Sequence, residues 1–566
     1  MKKFSLYASI LILFFSCSQE ETNYLDLLII NGTIYTAADS ITNPDIIGIT
    51  EGKISLVGNN TSYEKLVNKD TKIIDAKGQF VMPGFIEGHG HFSGVGSSLQ
   101  NLNFLKDTSW QAIVEKVKTK VSNSKNGEWI YGRGWHQEKW YVVPDDSYSD
   151  YPMHYSLSDI SPDNPVVLVH ASGHSLFANE KAMKLSGISP ESKDIKGGKI
   201  IKNQKGELVG VFEERAMQPL LRGLDDYRQS LDKESQKKLW YDAISLAQTE
   251  CLENGITSFQ DAGSKFYELD RYEQMATDGK LDIRLWAMMR DSLSKIPRDV
   301  SEYRKIDVGN GHYTCRAIKS EIDGALGAHG AWLIEPYDDK PDFYGQNTTE
   351  ISTVESIAKV AYDNKMQLCV HAIGDRANKE TLDIIESYHK KSEDELRWRV
   401  EHAQHLHPSD IMRFGQIGAI ASMQGIHCTS DAPFVQKRLG LLRSKIGAYA
   451  WKALLDQNVI IVNGTDAPVE DIDPIANFYA SVTRKRIDNG MEFFVENRMS
   501  REQALRSYTL DAAYGAFEEN DKGSLEIDKY GDIVILDTNL LTCDDLDIPD
   551  TKILFTIVGG EVMYER

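Results

Sequence analysis

The chain has 566 residues, of which 41% are hydrophobic, so it is long enough for a large catalytic domain with smaller attached domains. Lys and Arg together number 63 and Asp and Glu together number 84, which gives a formal charge of −21. A surface this acidic argues against nucleic acid, or an anionic membrane surface, as the main partner. The six cysteines contain no CxxC pair, so neither a thiolate zinc site nor a dense disulfide framework is indicated.

The N-terminus has the layout of an export signal. Two lysines precede an apolar stretch from Phe4 to Phe15, and Cys17 follows. The segment resembles a bacterial lipoprotein signal, in which the Cys becomes the lipid-bearing N-terminus, although Phe14 stands where Leu is usual. We predict a signal peptide over 1–17, a lipid anchor on Cys17, a tether over 18–24 and a location in the bacterial cell envelope. The alternative is an ordinary signal peptide cut nearby. A membrane-spanning anchor is not expected, because a spanning helix needs roughly 20 apolar residues.

Both ends of the chain are typical of short strands separated by turns. Examples are the apolar runs 27–35 near the N-terminus and 553–558 near the C-terminus. We predict that residues 25–80 and 520–566 together form one small sheet domain built from both termini. The alternative is two unrelated β extensions.

The middle of the chain, residues 81–519, alternates helical patterns with short apolar strands, which is typical of an α/β fold. Eight such strands complete a TIM-type (β/α)8 barrel, in which catalytic groups gather at the C-terminal strand ends. The stretch 104–231 lacks this alternation, so we predict an inserted lid subdomain over the barrel mouth; the alternative is a packing appendage. The predicted strands are the run before His89 and the segments 256–261, 284–289, 317–319, 367–371, 399–402, 419–424 and 459–466.

Polar residues at several predicted strand ends are candidate metal ligands. His89 and His91 are one residue apart, and side chains at i and i+2 of a strand leave the same face, so both imidazoles can reach one ion. A lone His is more often structural than a ligand, so the prediction depends on the combination. The other candidates at strand ends are Lys319, His371, His402 and Asp466.

Eight local runs of sequence accompany these candidates. They are 83–91 (PGFIEGHGH), 172–179 (SGHSLFAN), 255–263 (GITSFQDAG), 323–327 (DGALG), 371–378 (HAIGDRAN), 401–404 (EHAQ), 466–470 (DAPVE) and 522–526 (KGSLE). With them the chain resembles the metal-dependent amidohydrolase superfamily, and within it the amidohydrolase family 3 branch that includes N-substituted formamide deformylase-like enzymes. The resemblance implies a distorted (β/α)8 barrel beside a β-sandwich domain formed from both termini, with one or two divalent metals, usually zinc.

The resemblance also implies individual roles. His89 and His91 correspond to first-strand metal ligands, His371 and His402 to the ligands after the fifth and sixth strands, and Asp466 to the eighth-strand aspartate. Neutral imidazole and carboxylate suit zinc, which lowers the pKa of a bound water from 15.7 to about 7. Asp466 is then expected to accept the proton of the attacking water and pass it to the leaving nitrogen.

Lys319 matches the position of a lysine that bridges two metals when its amine is N6-carboxylated. An ammonium group beside two cations would be repelled, so a lysine at this place is expected to be neutral or carbamylated. The alternative is a lysine that points away from the site, in a salt bridge with Glu321 or Asp323.

Further residues are candidates for substrate binding. His174 in the insertion, Asp323 and Arg376 are predicted to contact substrate; the alternatives are a contact within the lid, a tight turn and a local ion pair with Asp375, respectively. Gln404 and Gln424 are either substrate donors or supports for the ligands. The histidines predicted not to be ligands are His405, His407 and His427.

Taken together, these features predict a metal-dependent hydrolase that cleaves a non-peptide C–N bond, amide or formamide, of a small molecule. One alternative is a deaminase or an ester or lactone hydrolase on the same site. A second alternative, from another class, is a solute-binding lipoprotein without catalysis; such a binder would be expected to lack one of the ligands, and all of them are present.

Overall fold

A computed structural model describes most of the chain beyond its N-terminus. The predicted signal peptide with Cys17 lies outside the described residues, and so does His174. Within them, no helix is long and apolar enough to cross a membrane. The described residues are 24–38, 44–59, 63–104, 107–137, 140–142, 144, 146–148, 151–170, 175–195, 198–292 and 295–566.

The N-terminal region consists of short strands with buried β-branched and aromatic side chains. Four of them form a sheet in the order β4-β3-β1-β5, with β1 parallel to β5 and antiparallel to β3. The strands are β1 (Leu27–Ile30), β2 (Thr33–Ile34), β3 (Ile46–Thr50), β4 (Lys53–Gly58), β5 (Lys72–Asp75) and β6 (Phe80–Pro83).

The first barrel strand, β7 (Phe85–Gly90), follows directly and leads into helix α1 (Phe92–Leu99). An inserted unit then forms its own six-stranded sheet, in the order β12-β13-β11-β10-β9-β8, with its own apolar clusters. Its elements are β8 (Leu102–Asn103), α2 (Trp110–Ser122), β9 (Ile130–Trp135), α3 (Tyr155–Ile160), β10 (Val166–His170), β11 (Ser175–Ala178), α4 (Glu180–Leu185), β12 (Gly198–Lys202), β13 (Leu208–Glu214) and α5 (Gln218–Ser230).

The remaining barrel strands alternate with helices along the rest of the chain. Their elements are α6 (Lys233–Glu253), β14 (Ile256–Ser264), α7 (Phe266–Thr277), β15 (Arg284–Met289), α8 (Ile296–Tyr303), β16 (Lys305–Asp307), α9 (Val308–Gly311), β17 (Tyr313–Glu321), α10 (Ile351–Asp363), β18 (Gln367–Ala372), α11 (Asp375–His389), β19 (Arg399–His402), α12 (Pro408–Gln416), β20 (Ile420–Met423), α13 (Gly425–Gly447), α14 (Trp451–Leu455), β21 (Ile461–Asn463), α15 (Pro474–Thr483), α16 (Arg501–Ser507) and α17 (Leu510–Gly515).

Eight parallel strands form the barrel, in the order β7-β14-β15-β17-β18-β19-β20-β21. The two ends of this order meet where the Asp466 N–H donates to the His89 carbonyl at 2.8 Å. All eight predicted strands are present, so the prediction of a TIM-type barrel is confirmed. Because the strands are parallel, their C-terminal residues share one rim, and the candidate ligands lie there.

The last three strands return to the N-terminal region. They are β22 (Ile533–Leu536), β23 (Ile553–Val558) and β24 (Glu561–Glu565). They join β2 and β6 in a five-stranded sheet, in which β22 pairs antiparallel with β6. An apolar cluster shared by residues such as Ile29, Ile49 and Ile557 lies between this sheet and the first one. Strands from both termini therefore build one domain beside the barrel.

Candidate metal centre

The pair His89 and His91 ends β7 at the rim, with ring centroids 5.9 Å apart. The alternation Gly-His-Gly-His has a packing reason. A Cβ at Gly88 would collide with the backbone of Asn463 on β21, and a Cβ at Gly90 would collide with the Phe259 ring on β14. The glycines therefore allow the neighbouring strands to approach closely while the two imidazoles face the rim.

His89 is held by an ion-paired carboxylate inside the barrel. Its Nδ1 forms a short hydrogen bond with Glu401, whose two oxygens also accept from Arg399 at 2.7 and 3.1 Å. The fully buried Arg399 donates further to the Gly88 carbonyl at 2.8 Å. This chain of contacts leaves Nε2 of His89 directed at the centre, as the outer partners of a metal-bound His normally do. The contact of Glu401 with His89 was not predicted from the sequence, although Glu401 directly precedes the predicted ligand His402.

His402, the last residue of β19, is fixed in a similar way by an amide. Its Nδ1 lies 2.7 Å from Oε1 of Gln424, which follows β20. A carbonyl oxygen accepts, so Nδ1 carries the proton and Nε2 keeps its lone pair. Its backbone φ is 73°, a region that non-glycine residues adopt rarely.

Asp466 connects the two sides of the rim. Its Oδ1 lies 3.2 Å from Nε2 of His91 and 3.6 Å from Nε2 of His89, yet no described group forms a hydrogen bond of good geometry with this buried atom. Its backbone φ is 59°, so a second candidate ligand sits in the left-handed region. A buried carboxylate oxygen without a donor is uncommon in folded proteins and marks a place for a cation.

His371 stands between His402 and Asp323. Its ring centroid is 4.5 Å from that of His402, and its buried Nε2 has no hydrogen-bond partner among the described residues. Asp323 lies behind it, with Oδ1 3.8 Å from Nε2, but its two oxygens accept three backbone N–H groups at 2.8–2.9 Å, from Trp332, Ile373 and Gly374. Burial raises the pKa of Asp323 to about 7 despite these bonds. These contacts favour the tight-turn alternative for Asp323 over substrate binding.

Lys319 on β17 points into the same centre. It is buried, and its Nζ lies 3.4 Å from Nε2 of His89. Neither alternative salt-bridge partner holds it, because Glu321 pairs with Arg290 and Asp323 binds backbone N–H groups. Burial lowers the pKa of its amine below the ordinary value. The side chain is therefore turned towards the ligands.

His427 joins the centre, where sequence analysis did not expect it. Ligand atoms of His402, His427 and Asp466 all lie within 4.8 Å of one another, and so do those of His89, His91 and Asp466. Asp466 is common to both groups. His427 comes from the first turn of α13 rather than from a strand end, and its spacing from Gln424 was the signal that could have placed it near the rim. His405 is buried beside Tyr449, and His407 is the N-cap of α12.

The donor set fits a divalent metal ion. Burial lowers the pKa of His89 to about 3 and that of His402 to about 4, and burial also holds the pKa of His371 well below its ordinary value. The imidazoles are thus neutral, as metal ligands must be. Burial opposes ionisation of Asp466, but His91 and the neighbouring imidazoles outweigh it and hold the pKa of that carboxyl well below its ordinary value. Neutral nitrogens around one carboxylate, with unpartnered buried atoms, suit zinc.

Two candidates for substrate binding, Arg376 and Gln404, have partners of their own in the protein. Arg376, on the first turn of α11, pairs with Glu380 at 2.6 Å and lies over the Trp332 ring, so it has a local partner while its side chain stays partly exposed. The local ion pair that was the alternative to substrate binding thus forms with Glu380 rather than with Asp375. Gln404 donates to Asp431 at 2.9 Å and to the Tyr449 hydroxyl at 2.6 Å.

Comparisons with known proteins agree with this geometry. The chain is 30% identical over 550 residues to the protein LONG AFTER FAR-RED 3 of Arabidopsis thaliana, covering 95% of this chain and 91% of that one. It is 23% identical over 556 residues to N-substituted formamide deformylase of Arthrobacter pascens, covering 96% and 99%. The crystal structure of an uncharacterized metal-dependent hydrolase from Pyrococcus furiosus superposes with a TM-score of 0.71 at 26% identity, covering 91% of this chain and all (100%) of that one.

A family profile covers nearly all of the described chain. The profile described as amidohydrolase family matches residues 72–564, from β5 to the last strand. The match spans the barrel, the inserted unit and the C-terminal sheet strands, so it includes every candidate ligand. The resemblance inferred from the sequence motifs is thereby confirmed, and the chain is a member of the amidohydrolase family, a metal-dependent hydrolase acting on C–N bonds.

Proposed function

We propose that this enzyme hydrolyses a non-peptide amide or formamide bond of a small molecule, with zinc as its metal. The observation that carries the proposal is the convergence of imidazoles on Asp466 at the barrel rim. The buried atoms His371 Nε2, His427 Nε2 and Asp466 Oδ1 lack partners among the described residues, so the site is built around something else. An ion with an open position explains all three at once.

The histidines are arranged to hold such an ion. Nδ1 of His89 is committed to Glu401, and Nδ1 of His402 is committed to Gln424, so each ring offers Nε2. His91, His371 and Asp466 complete the set that we propose as ligands. A bound divalent ion supplies a Lewis acid that polarises a carbonyl group and acidifies water.

Asp466 is the group that we propose moves the proton. Its carboxylate is ionised at neutral pH, since its pKa is held well below the ordinary value chiefly by His91 against the effect of burial. Oδ1 has no committed donor among the described residues, so it is free to accept a proton from attacking water and return it to the leaving nitrogen. The backbone N–H of Asp466 is bonded to the His89 carbonyl, which fixes the carboxylate against the rim.

The substrate class is proposed from similarity as well as from chemistry. The Arthrobacter pascens relative is named for deformylation of N-substituted formamides, and it aligns over nearly the whole of this chain. A formyl group is the smallest acyl group, so a formamide places little bulk at the crowded rim. We therefore put N-substituted formamides first and other small N-acyl amides second.

A substrate panel tests the proposal. The protein without residues 1–23 is loaded with zinc and offered matched formamides, acetamides, esters, lactones and aminopurines, with release of formate or acetate and of amine or ammonia measured. Faster turnover of formamides and amides supports the proposal. Turnover confined to esters or lactones, or release of ammonia from aminopurines, would replace it with the alternative chemistries on the same site. No turnover with any metal would favour the solute binder.

Lys319 is proposed to be N6-carboxylated and to bridge two ions. Burial lowers the pKa of its amine and so favours the neutral form that reacts with carbon dioxide, and Nζ lies 3.4 Å from Nε2 of His89. Two equivalents of zinc per chain and a carbamate carbon signal after growth or incubation with ¹³C-bicarbonate are expected. In the variant Lys319→Met both the signal and one equivalent should disappear; one equivalent in the parent protein would contradict the bridge.

Export and lipid attachment remain a proposal based on the N-terminal sequence. Lys2, Lys3 and the following apolar stretch are expected to direct the chain to the envelope, and Cys17 to carry the lipid. Incorporation of labelled palmitate into the parent chain, but not into Cys17→Ser, is the expected result. Equal labelling of both would remove Cys17 as the anchor.

A further inference from the structure

Helix α13 carries a second polar group one turn beyond the metal centre. His427 and Asp431 are four residues apart, so they lie on the same helix face, about 6 Å apart along the axis. His427 reaches the ligands His402 and Asp466. Asp431 therefore lies about one turn further along the same helix face than a residue of the metal centre.

The contacts of Asp431 leave one of its oxygens available. Oδ2 accepts from Gln404 Nε2 at 2.9 Å and from the Tyr449 hydroxyl at 2.5 Å. These two donors come from the loop after β19 and the segment after α13, so they hold the carboxylate in one orientation. No described group donates to Oδ1, which is therefore the atom presented to an incoming ligand.

The charge around Asp431 is unbalanced. Among the described residues, no Lys or Arg side chain forms an ion pair with it, and burial raises the pKa of its carboxyl although His427 acts in the opposite direction. Arg486 approaches the carbonyls of Thr429 and Ser430, but its guanidinium is bound by Asp488 at 2.6 and 2.9 Å. A cation beside a carboxyl whose pKa is raised by burial would favour its ionised form, so a positively charged group of a ligand would fit here.

His427 turns this face of α13 towards the metal centre. Nε2 of His427 is buried and has no hydrogen-bond partner among the described residues, and only 9% of the residue is exposed. Glu470 is a further carboxylate acted on by His427. The face of α13 next to the metal centre thus combines an unpartnered imidazole with an unpartnered carboxylate oxygen.

We propose that Asp431, oriented by Gln404 and Tyr449, binds a positively charged, hydrogen-bond-donating substituent of the substrate, such as a primary ammonium or a guanidinium group. The inference rests on the proposed amide hydrolysis and narrows its substrate class. The spacing of about one helical turn between Asp431 and His427 sets the distance from the scissile bond to the cation at roughly four methylene groups. Formamides and amides of diamines meet this requirement.

A matched pair of substrates separates charge from size. N-formyl-1,4-diaminobutane and N-formylpentylamine have the same chain length, but only the first carries an ammonium group. The parent enzyme is expected to prefer the first in kcat/KM. Asp431→Asn should lower kcat/KM for the cationic substrate by about 10- to 100-fold and leave the neutral one within a few-fold. Asp410→Asn is the control, because it removes a buried carboxylate on α12 that has its own partner, Arg413.

Binding of a non-reacting cation tests the site independently of turnover. Methylguanidinium is titrated calorimetrically into the zinc-loaded protein, with tetramethylammonium as a cation that lacks donors. Methylguanidinium is expected to bind more tightly, and Asp431→Asn to weaken its binding at least tenfold while the zinc content stays unchanged. If neither formamide is cleaved, the proposed reaction is wrong for these substrates and the titration alone decides the cation site.

Two outcomes would overturn the inference. Unchanged substrate preference together with unchanged methylguanidinium affinity in Asp431→Asn would reduce the carboxylate to a link between two loops. A loss of bound zinc in this variant, with substrate preference retained, would make Asp431 part of the metal centre instead. Tyr449→Phe, which removes one donor to Oδ2 but keeps the charge, should show a smaller loss in the same direction.

Discussion

Two buried polar centres lie at opposite ends of the barrel strands, and they differ in how their atoms are paired. At the C-terminal rim, the metal centre contains buried nitrogen and oxygen atoms without partners in the described chain. Near the other end, Arg284 opens β15 and binds Asp532 at 2.7 and 3.1 Å, donates to the Asn310 carbonyl at 3.1 Å and stacks on the Tyr530 ring. We call Arg284 and Asp532 the basal pair.

The difference separates a site for a ligand from a structural contact. In the basal pair, the two opposite charges neutralise each other. The pair joins β15 to the segment before β22, so it connects the barrel to the domain built from both termini. The metal centre leaves charge and lone pairs open, and two of its residues, His402 and Asp466, have a backbone φ in the left-handed region. Unpaired buried groups and a strained backbone both lower stability, and they are retained where a function needs them.

The largest effect is expected from Asp466→Asn. The amide keeps the shape of the side chain but cannot accept the proton of the attacking water. Turnover of the preferred formamide should fall by about 10²- to 10⁴-fold, the range typical of general acid–base catalysis. The measurement is kcat with saturating zinc, combined with metal analysis and a thermal unfolding curve.

Zinc retention and an unchanged melting temperature are the controls for this variant. If Asp466→Asn keeps its activity, another group moves the proton. If it loses its zinc and is inactive for that reason, its main role is that of a ligand. The first result would remove the proposed proton transfer by Asp466, and the second would leave Asp466 a role as a ligand alone.

Asp532→Ala in the basal pair is expected to lower stability without lowering activity, the opposite of Asp466→Asn. It leaves the guanidinium of Arg284 buried without its counter-charge, which typically costs about 3–5 kcal/mol. A lower melting temperature is expected, with kcat and zinc content of the remaining folded protein unchanged. A fall in kcat at full stability would mean that the two ends of the barrel are coupled rather than independent.

Much of this arrangement was predictable from the sequence because the ends of the barrel strands can be recognised from the pattern of apolar and polar residues. The barrel strands are apolar runs, each ended by a polar residue, and parallel pairing forces those ends onto one rim. His89, His91, His371, His402 and Asp466 were found in that way, and they converge. The same rule predicted that Lys319 lies at the rim, and its Nζ is 3.4 Å from Nε2 of His89.

The rest was not predictable because it depends on contacts between distant segments. His427 sits on a helix, where the strand-end rule gives no signal, and its approach to Asp466 depends on how α13 begins after β20. Glu401 and Arg399 lie on one strand, but their link to His89 crosses the barrel interior. Asp323 looked like a pocket residue, yet it binds three backbone N–H groups that only the folded loops bring together.

A smaller effect is expected from Gln424→Leu at the metal centre. The change removes the acceptor for Nδ1 of His402 and so the group that holds the ring in its ligand tautomer. Zinc affinity should fall by about 10- to 100-fold, as is usual when a partner of a metal-bound His is lost. Competition with a chromophoric chelator measures it. Gln248→Leu is the matched control, since Gln248 is a buried glutamine that bonds the backbone of Lys280 and Asp282, away from the rim. Equal affinity in both variants would contradict the role of Gln424.

The smallest effect concerns the pH dependence of the basal pair. Burial alone would raise the pKa of Asp532, but the charge and hydrogen bonds of Arg284 outweigh burial and hold this pKa below its ordinary value. A folded-state pKa below the unfolded value of about 3.9 means that the stabilisation is complete above that pH and is lost as the pH falls further. Between about pH 4 and pH 2, the melting temperature of Asp532→Asn should therefore decline less steeply than that of the parent, because the amide has no proton to take up. Parallel declines would show that the Asp532 carboxylate contributes nothing to acid unfolding, and the basal pair would then owe its stability to packing and neutral hydrogen bonds.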